Sequence, residues 1–215
     1  MSSDALLRAE GLSASYDGRL VFRGASLSLG PGLYTLQGAN GRGKSTFLRL
    51  LAGAQLPDSG EAWIAGMSLR DAPRAARRRL GYAPDESHIY PFMTGRDLFR
   101  FVANAKGVAP PADPDDFSAD LGLGPFLAVR FDAMSLGTQK KVLLRAAFIG
   151  SPRVVLLDEP SNGIDAAARR ALFEKLCDYA ADATILCATH DATMIEETGA
   201  TALAMSQICL GPSAR

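Results

Sequence analysis

Residues 38–45, GANGRGKS, have the residue types and the spacing of a phosphate-binding loop, G-x-x-x-x-G-K-[ST]. The glycines let backbone N–H groups surround a phosphate without a Cβ in the way. Lys44 offers a positive charge to the β- and γ-phosphates, and the Ser45 hydroxyl is a ligand for Mg²⁺. The apolar run at 33–36 predicts a buried strand before the loop, and the apolar residues after it predict a helix ending at Gly53. This context predicts nucleotide binding; a glycine-rich turn that matches by chance is the alternative.

Two carboxylates follow a second apolar run. Residues 154–157 predict a buried strand, and Asp158 and Glu159 come directly after it. Open α/β sheets bind ligands at the carboxyl ends of their strands. We therefore expect Asp158 to share Mg²⁺ with Ser45, and Glu159 to polarise an attacking water. A plain strand end that turns at Pro160 is disfavoured beside a phosphate loop.

His190 follows a third apolar run, residues 184–188. A single histidine is more often structural. Its place after a buried strand puts it at the same edge of the sheet, which favours contact with the γ-phosphate or the water.

The composition predicts a globular protein of one large domain, or of one domain with an inserted subdomain, and it removes the strong electrostatic case for nucleic-acid binding, so no nucleic-acid partner is expected. The hydrophobic fraction of 47% is ordinary for a folded core, and 23 basic residues balance 23 acidic ones in 215 residues. The basic run at 74–79 is more typical of a solvated helix face than of a binding site. The three cysteines are far apart, and we expect all of them to be small core residues in a reducing compartment.

The N-terminus shows no signal-peptide pattern, and no apolar run approaches the length that spans a bilayer. We therefore expect another chain to perform any membrane crossing.

The other segments predict an α/β chain. Residues 6–36 read as several short, partly antiparallel strands, with Tyr16 in the first turn. Taken alone, Tyr16 is more typical of a turn residue resting on the core than of a base-stacking aromatic. Residues 85–133 read as a mostly helical insertion, in which Thr94 opens a capping box. Further along, the patterns predict a strand over 80–84, a helix from Ser135 to about Ile149, a helix over 165–180 capped by Asp165, and a closing hairpin over 201–210.

Together these motifs resemble the ATP-binding subunit of an ABC transporter, over essentially the whole chain. Residues 134–142, MSLGTQKKV, resemble the family signature, LSGGQ followed by Q-[QK]-[RK]-[VL]. Residues 161–165, SNGID, match the D-loop. The resemblance makes residues 38–45 the Walker A motif and residues 154–159 the Walker B motif with its catalytic glutamate.

The resemblance implies a fold and a function. The fold is an α/β P-loop NTPase core with a mostly parallel sheet and an N-terminal antiparallel β subdomain. A helical subdomain at approximately 86–150 is inserted, and residues 1–215 form a single domain. The function is to bind and hydrolyse ATP with Mg²⁺, and so to power substrate movement through a separate integral membrane subunit. Two such ATPase domains form a homodimer or pseudo-dimer at the cytoplasmic face of the inner membrane.

The resemblance also implies a set of site residues. Glu159 and His190 are the catalytic pair, and Ser45, Asp85 and Asp158 are the metal ligands. The nucleotide-binding residues are Tyr16, Asn40, Gly41, Gly43, Lys44, Ser45, Thr46, Ser135, Gly137 and Thr138, of which the last three contact the ATP of the opposing domain.

Three positions depart from the family pattern. Leu136 replaces the first signature glycine, Thr138 replaces the signature glutamine, and Asp85 stands where the family has the Q-loop glutamine. A helical backbone at Leu136 would not need glycine. The departures resemble a subgroup of bacterial ABC ATPases that serve exporters of drugs, peptides, lipids or haem.

Two other function classes compete with this interpretation. Soluble ABC ATPases of DNA repair or translation usually carry coiled coils or tandem cassettes, which this sequence lacks. A P-loop kinase or GTPase is disfavoured by the signature and His190. Residues 86–93 are expected to form part of the groove for a coupling helix of the membrane subunit, or alternatively to pack inside the helical insertion.

Overall fold

A computed structural model describes residues 5–39, 41–86 and 89–209. The described residues form nine strands and eight α-helices. The elements are, in chain order, β1 (Leu7–Tyr16), β2 (Arg19–Leu29), β3 (Gly32–Gln37), α1 (Lys44–Leu51), β4 (Ser59–Ile64), β5 (Met67–Ser68), α2 (Pro73–Arg78), β6 (Leu80–Ala83), α3 (Gly95–Lys106), α4 (Asp116–Asp120), α5 (Leu136–Ala147), β7 (Val154–Asp158), α6 (Ala166–Tyr179), β8 (Thr184–Ala188), α7 (Ala192–Thr198), β9 (Thr201–Ala204) and α8 (Met205–Ile208).

The strands form two sheets of different type. β2, β1, β4 and β5 make an antiparallel sheet in that order, whereas β6, β7, β8, β3 and β9 make a parallel one. β7 and β8 are buried along their whole length, which explains why both are almost continuously apolar. Because the sheet is parallel, the carboxyl ends of β3, β6, β7 and β8 meet at one edge.

Alternate residues of β7 belong to two hydrophobic cores. Val154 and Leu156 face the core that contains the antiparallel sheet and α1, so α1 lies between the two sheets. Val155 and Leu157 face a core shared with the helical segment around α3 and α5. Strand periodicity therefore assigns each face of the parallel sheet to its own layer.

An ion pair joins the N-terminus of α4 to α5. Arg145, buried on α5, bonds the carboxylate of Asp115, with 3.0 Å between Arg145 Nε and Asp115 Oδ1. Asp115 also caps the N-terminus of α4. Burial raises the pKa of Asp115, but hydrogen bonds from Arg145 and Ser118 outweigh burial and lower this pKa to about 2. The capping box predicted at Thr94, with Asp97 as its partner, is confirmed.

Three predictions about local structure are wrong. Residues 201–204 form β9, which pairs in parallel with β3 and leads into α8 instead of a closing hairpin. The N-terminal strands β1 and β2 are long and strongly bulged, not several short strands. Cys187 is buried, but Cys177 is exposed and Cys209 is half-buried.

None of the helices in the described residues combines the length and the apolar composition that a bilayer-spanning helix requires.

Candidate nucleotide-binding site

The loop between β3 and α1 has the backbone that its glycines permit. Gly41 and Gly43 have φ values of 77° and 86°, in the left-handed region. A Cβ on Gly43 would lie 2.7 Å from Cγ1 of Val21, so a side chain is excluded there by space as well as by conformation. Asn40 lies outside the described residues.

Lys44 opens helix α1 at the end of this loop. Its buried Nζ donates to the backbone oxygen of Gly38 at 2.7 Å, which holds the ammonium across the loop. Gly43 is the N-cap residue and, within the described residues, no side chain caps this helix. Free N–H groups, a helix dipole and a lysine together favour an anion at this point.

Asp158 lies across the sheet edge from Ser45 and is almost fully buried. Burial raises the pKa of Asp158, and so do the negative charges of Asp85 and Glu159; a hydrogen bond from Ser45 and the charge of Lys140 lower it. The net direction is upward, with burial as the largest cause, so the ionised form of Asp158 is poorly compensated within the protein. Such a pocket favours a cation.

Glu159 and His190 form a hydrogen-bonded pair. Oε1 of Glu159 lies 2.8 Å from Nδ1 of His190. The second carboxylate oxygen, Oε2, is buried and has no hydrogen-bond partner among the described residues. Glu159 also has a φ of 45°, which is uncommon for a residue with a side chain and typical of functional sites. An oriented carboxylate with a free oxygen is suited to accept a proton from water.

Lys44, Ser45, Glu159 and His190 line one cavity of about 500 Å³, whereas Asp158 does not reach its lining. A neighbouring cavity of about 550 Å³ extends it past Tyr16 and the turn between β1 and β2. The side chain of Tyr16 is exposed, so the alternative in which it rests on the core is wrong. The residues that line the first cavity are Tyr16, Val21, Gly41, Gly43, Lys44, Ser45, Thr46, Asp85, Glu159, Asn162 and His190.

The signature residues lie outside that cavity, at the N-terminus of α5. Ser135 is exposed and caps the helix by accepting from the Thr138 N–H at 3.1 Å. Thr138 is buried, and its hydroxyl lies 2.9 Å from that of Ser135. A Cβ on Gly137 would lie 2.4 Å from the Gly163 oxygen. Leu136 is 83% exposed in the first turn of the helix, so its position does not need glycine.

Sequence reasoning missed two residues near the phosphate loop. Asn162 lines the cavity. Lys140 is buried on α5, and its Nζ donates to Asp85 Oδ1 and to the Asp158 backbone oxygen, at 2.9 Å in each case. The available signal was Asp85 itself, because an acid in place of a neutral glutamine calls for a nearby cation.

A family model described as ABC transporter matches residues 22–162, which is more than half of the chain. The chain belongs to the ABC transporter family. A cytochrome c biogenesis ATP-binding export protein, CcmA, of Cupriavidus necator is 35% identical over 86% of this chain and 83% of its own length. The human phospholipid-transporting ATPase ABCA7 is 34% identical over 79% of this chain. This chain spans only 8% of the length of human ABCA7, and 7% of that of its rat relative.

Solved structures of ABC proteins share the fold. An ATP-binding subunit of an ABC transporter superposes with a TM-score of 0.82 at 29% identity, covering 90% of this chain and 82% of that one. A dimeric ATP-binding cassette in a post-hydrolysis state with ADP and Pi gives a TM-score of 0.76 at 18% identity, covering 87% and 89%. The predicted α/β P-loop NTPase fold of the ABC ATPases is therefore confirmed.

Proposed function

We propose that this chain is the ATP-binding and ATP-hydrolysing subunit of an ABC transporter and powers substrate movement through a separate integral membrane subunit. One observation carries the proposal. The phosphate loop, the buried carboxylate of Asp158 and the Glu159–His190 pair share one sheet edge, and all but Asp158 line one cavity. This is the arrangement that a water attack on a terminal phosphate requires.

Nucleotide binding is assigned to the loop and the neighbouring aromatic. The backbone N–H groups around Gly41 and Gly43 receive the phosphates, and Lys44 adds its charge. Thr46 follows in the first turn of α1 and lines the same cavity. Tyr16 offers an exposed ring to the adenine. Asn40 is assigned to the same loop from the sequence alone.

The donor set around Ser45 fits Mg²⁺. Mg²⁺ in nucleotide sites takes one or two carboxylates and fills its other positions with water and phosphate oxygens. The described residues contain no cluster of three or more His, Cys, Asp or Glu side chains arranged for a metal. Ser45, Asp158 and Asp85 would hold the ion. When bound, it would neutralise charge that develops on the phosphate oxygens.

Hydrolysis is assigned to Glu159 and His190. Glu159 accepts a proton from the attacking water through its carboxylate. His190 contacts Oε1 of that carboxylate and so fixes its direction. Because the pair is a contact between the ends of β7 and β8, strand pairing sets its position.

We propose that the signature residues contact the ATP that is bound by a second copy of the chain or by a similar domain. Ser135 and Gly137 lie at a helix N-terminus outside the cavity, so they serve an anion carried by another molecule. Buried Thr138 supports Ser135 through its hydroxyl. We propose a head-to-tail homodimer or pseudo-dimer, in which each ATP lies between Lys44 of one domain and Ser135 of the other. The dimeric state of the solved cassette with ADP and Pi agrees with this proposal.

We propose that the membrane subunit docks into a groove between the parallel sheet and the helical segment, which spans approximately residues 86–150. The groove encloses about 410 Å³ and is lined by Ile89, Leu98 and Val102 among others. At its edge, Tyr90 and Phe92 stack at 5.5 Å with side chains 66% and 65% exposed, so these two do not pack inside the insertion. Exposed aromatic side chains favour a protein partner. We propose that the chain works at the cytoplasmic face of the inner membrane, beside this partner.

The names of the relatives favour transport over the soluble alternative. They include a phospholipid-transporting ATPase and an export protein for cytochrome c biogenesis. We correspondingly propose that the membrane subunit that binds this chain is of the exporter type.

Titration of the purified chain with a fluorescent ATP analogue and Mg²⁺ tests the proposal. Lys44→Ala should weaken binding at least about tenfold, because it removes a charge-assisted contact from a buried site. Lys175→Ala, on α6 away from the cavity, is the matched control and should bind as the wild type does. Equal affinity in wild type and Lys44→Ala would show that residues 38–45 are not the phosphate site.

A further inference from the structure

Lys140 is a buried cation behind the proposed nucleotide site. Its side chain is only 7% exposed, and its Nζ makes three contacts with oxygen atoms. Two are at 2.9 Å, with Asp85 Oδ1 and with the backbone oxygen of Asp158. The third is at 3.5 Å, with the backbone oxygen of Asp85. Lys140 therefore joins α5 to the ends of both β6 and β7.

The charges around Asp85 explain why a lysine is needed there. Asp85, Asp158 and Glu159 place three carboxylates close together, and the negative charges of Asp85 and Glu159 add to burial in raising the pKa of Asp158. Lys140 lowers that pKa. ATP would bring further negative charge into the same cavity. A carboxylate at position 85 is thus unfavourable for nucleotide binding unless a cation offsets it.

We propose that Lys140 is a positioning residue for Asp85: it neutralises this carboxylate and holds it at the edge of the nucleotide cavity. The ion pair then presents an oxygen ligand with little net charge, as a neutral glutamine would. The inference rests on the proposed function. The bond to Lys140 uses Oδ1, and a carboxylate keeps a second oxygen for a metal ion or a water. The same bond ties Asp85 to α5, whose N-terminus carries Ser135 and Gly137.

A purely structural role for Lys140 makes a different prediction. Lys140 also donates to the Asp158 backbone oxygen, and loss of that bond would disturb β7 whether or not residue 85 is charged. If Lys140 acts through Asp85, its removal should be harmful only while Asp85 carries its charge. A double-mutant cycle separates the two.

The experiment uses wild type, Lys140→Met, Asp85→Asn and the double variant, each titrated with a fluorescent ATP analogue and Mg²⁺. Lys140→Met alone should weaken binding at least about tenfold, whereas the same change in the Asp85→Asn background should cost less than about threefold. In thermal unfolding without nucleotide, Lys140→Met should lower the Tm more in the wild-type background than in the Asp85→Asn background. In steady-state hydrolysis, Lys140→Met should raise KM more than it lowers kcat.

Lys175→Met is the matched control. Lys175 lies on α6, and its Nζ is 5.6 Å from the ring centroids of both Phe117 and Tyr179, away from the residues that line the cavity. This variant removes the same charge and should bind the analogue as the wild type does.

Each other outcome decides the question. An equal cost of Lys140→Met in both backgrounds would overturn the inference and leave Lys140 a structural residue. If Lys140→Met does not fold, a folded, nucleotide-binding double variant supports the pairing, and an unfolded double variant overturns it. If the wild type itself binds no analogue, the proposed function fails instead.

Discussion

Glu159→Gln tests the proposed hydrolytic step with little disturbance of the structure. Glutamine has nearly the same shape as glutamate, and its amide can keep the contact with His190 that spans 2.8 Å. The side chain is largely buried, so an isosteric replacement leaves no cavity. The backbone strain at φ 45° is the same in both proteins. What the change removes is a base with a free oxygen.

The magnitude follows from that single loss. General-base catalysis typically contributes about 10²–10⁴ in rate, or about 2.7–5.5 kcal/mol of activation free energy. Nucleotide affinity should not fall, because Lys44 and Ser45 are untouched. The charge of Glu159 is one of the causes that raise the pKa of Asp158, so its removal lowers that pKa and favours the ionised, metal-binding form.

The assay combines phosphate release with size-exclusion chromatography in ATP and Mg²⁺. We expect kcat to fall by about 10²–10⁴ and a nucleotide-bound dimer to accumulate, because hydrolysis no longer reopens it. Glu174→Gln, an exposed site on α6, makes the same chemical change away from the cavity and should keep wild-type turnover. Hydrolysis by Glu159→Gln at the wild-type rate would refute the assignment of the base.

Three further predictions concern the rest of the molecule. Asp115→Asn should lower the free energy of unfolding by about 3 kcal/mol above pH 4, because it leaves the Arg145 guanidinium buried without its anion. In the wild type that stability should be lost as the pH falls from about 4 towards the folded-state pKa of about 2, so chemical unfolding should show the difference between the two proteins shrinking there. Gly137→Ala should prevent ATP-dependent dimerisation in size-exclusion chromatography, because the new Cβ would lie 2.4 Å from the Gly163 oxygen of the same chain and would displace the N-terminus of α5 that carries Ser135. Dimerisation as in the wild type would contradict the role proposed for that N-terminus. Tyr90→Glu should abolish co-purification with the membrane subunit while basal ATP hydrolysis survives; normal co-purification would show that the membrane subunit binds elsewhere.

The sequence predicted the central strands well because burial leaves little choice of residue. β7 and β8 are buried on both faces, so their sequences are almost continuously apolar and their ends are sharp. The helix starts at Thr94, Ser135 and Asp165 were also predictable, since each cap is a local hydrogen bond between near neighbours in sequence. Local signals of this kind do not depend on the rest of the fold.

The C-terminal segment shows where local signals fail. Residues 201–204 pair with β3, which lies more than 160 positions earlier in the chain. A short apolar run with a turn after it is equally compatible with one arm of a hairpin. Residues 201–204 form a parallel strand because the edge of the sheet beside β3 is available for pairing. The sequence of residues 201–210 contains no information about that edge.

Asp85 and Lys140 make the same point about function. Asp85 is recognisable in the sequence as a departure from the family glutamine, but its partner Lys140 lies 55 positions away and carries no signal of its own. The substitution of an acid for a neutral glutamine becomes intelligible only when β6 and α5 pack together and bring a buried ammonium to the carboxylate. The phosphate loop was readable because one short segment contains all of its parts. The Asp85–Lys140 pair was not, because its parts meet only in the folded chain, and for that reason the two residues must be varied together to learn what either one does.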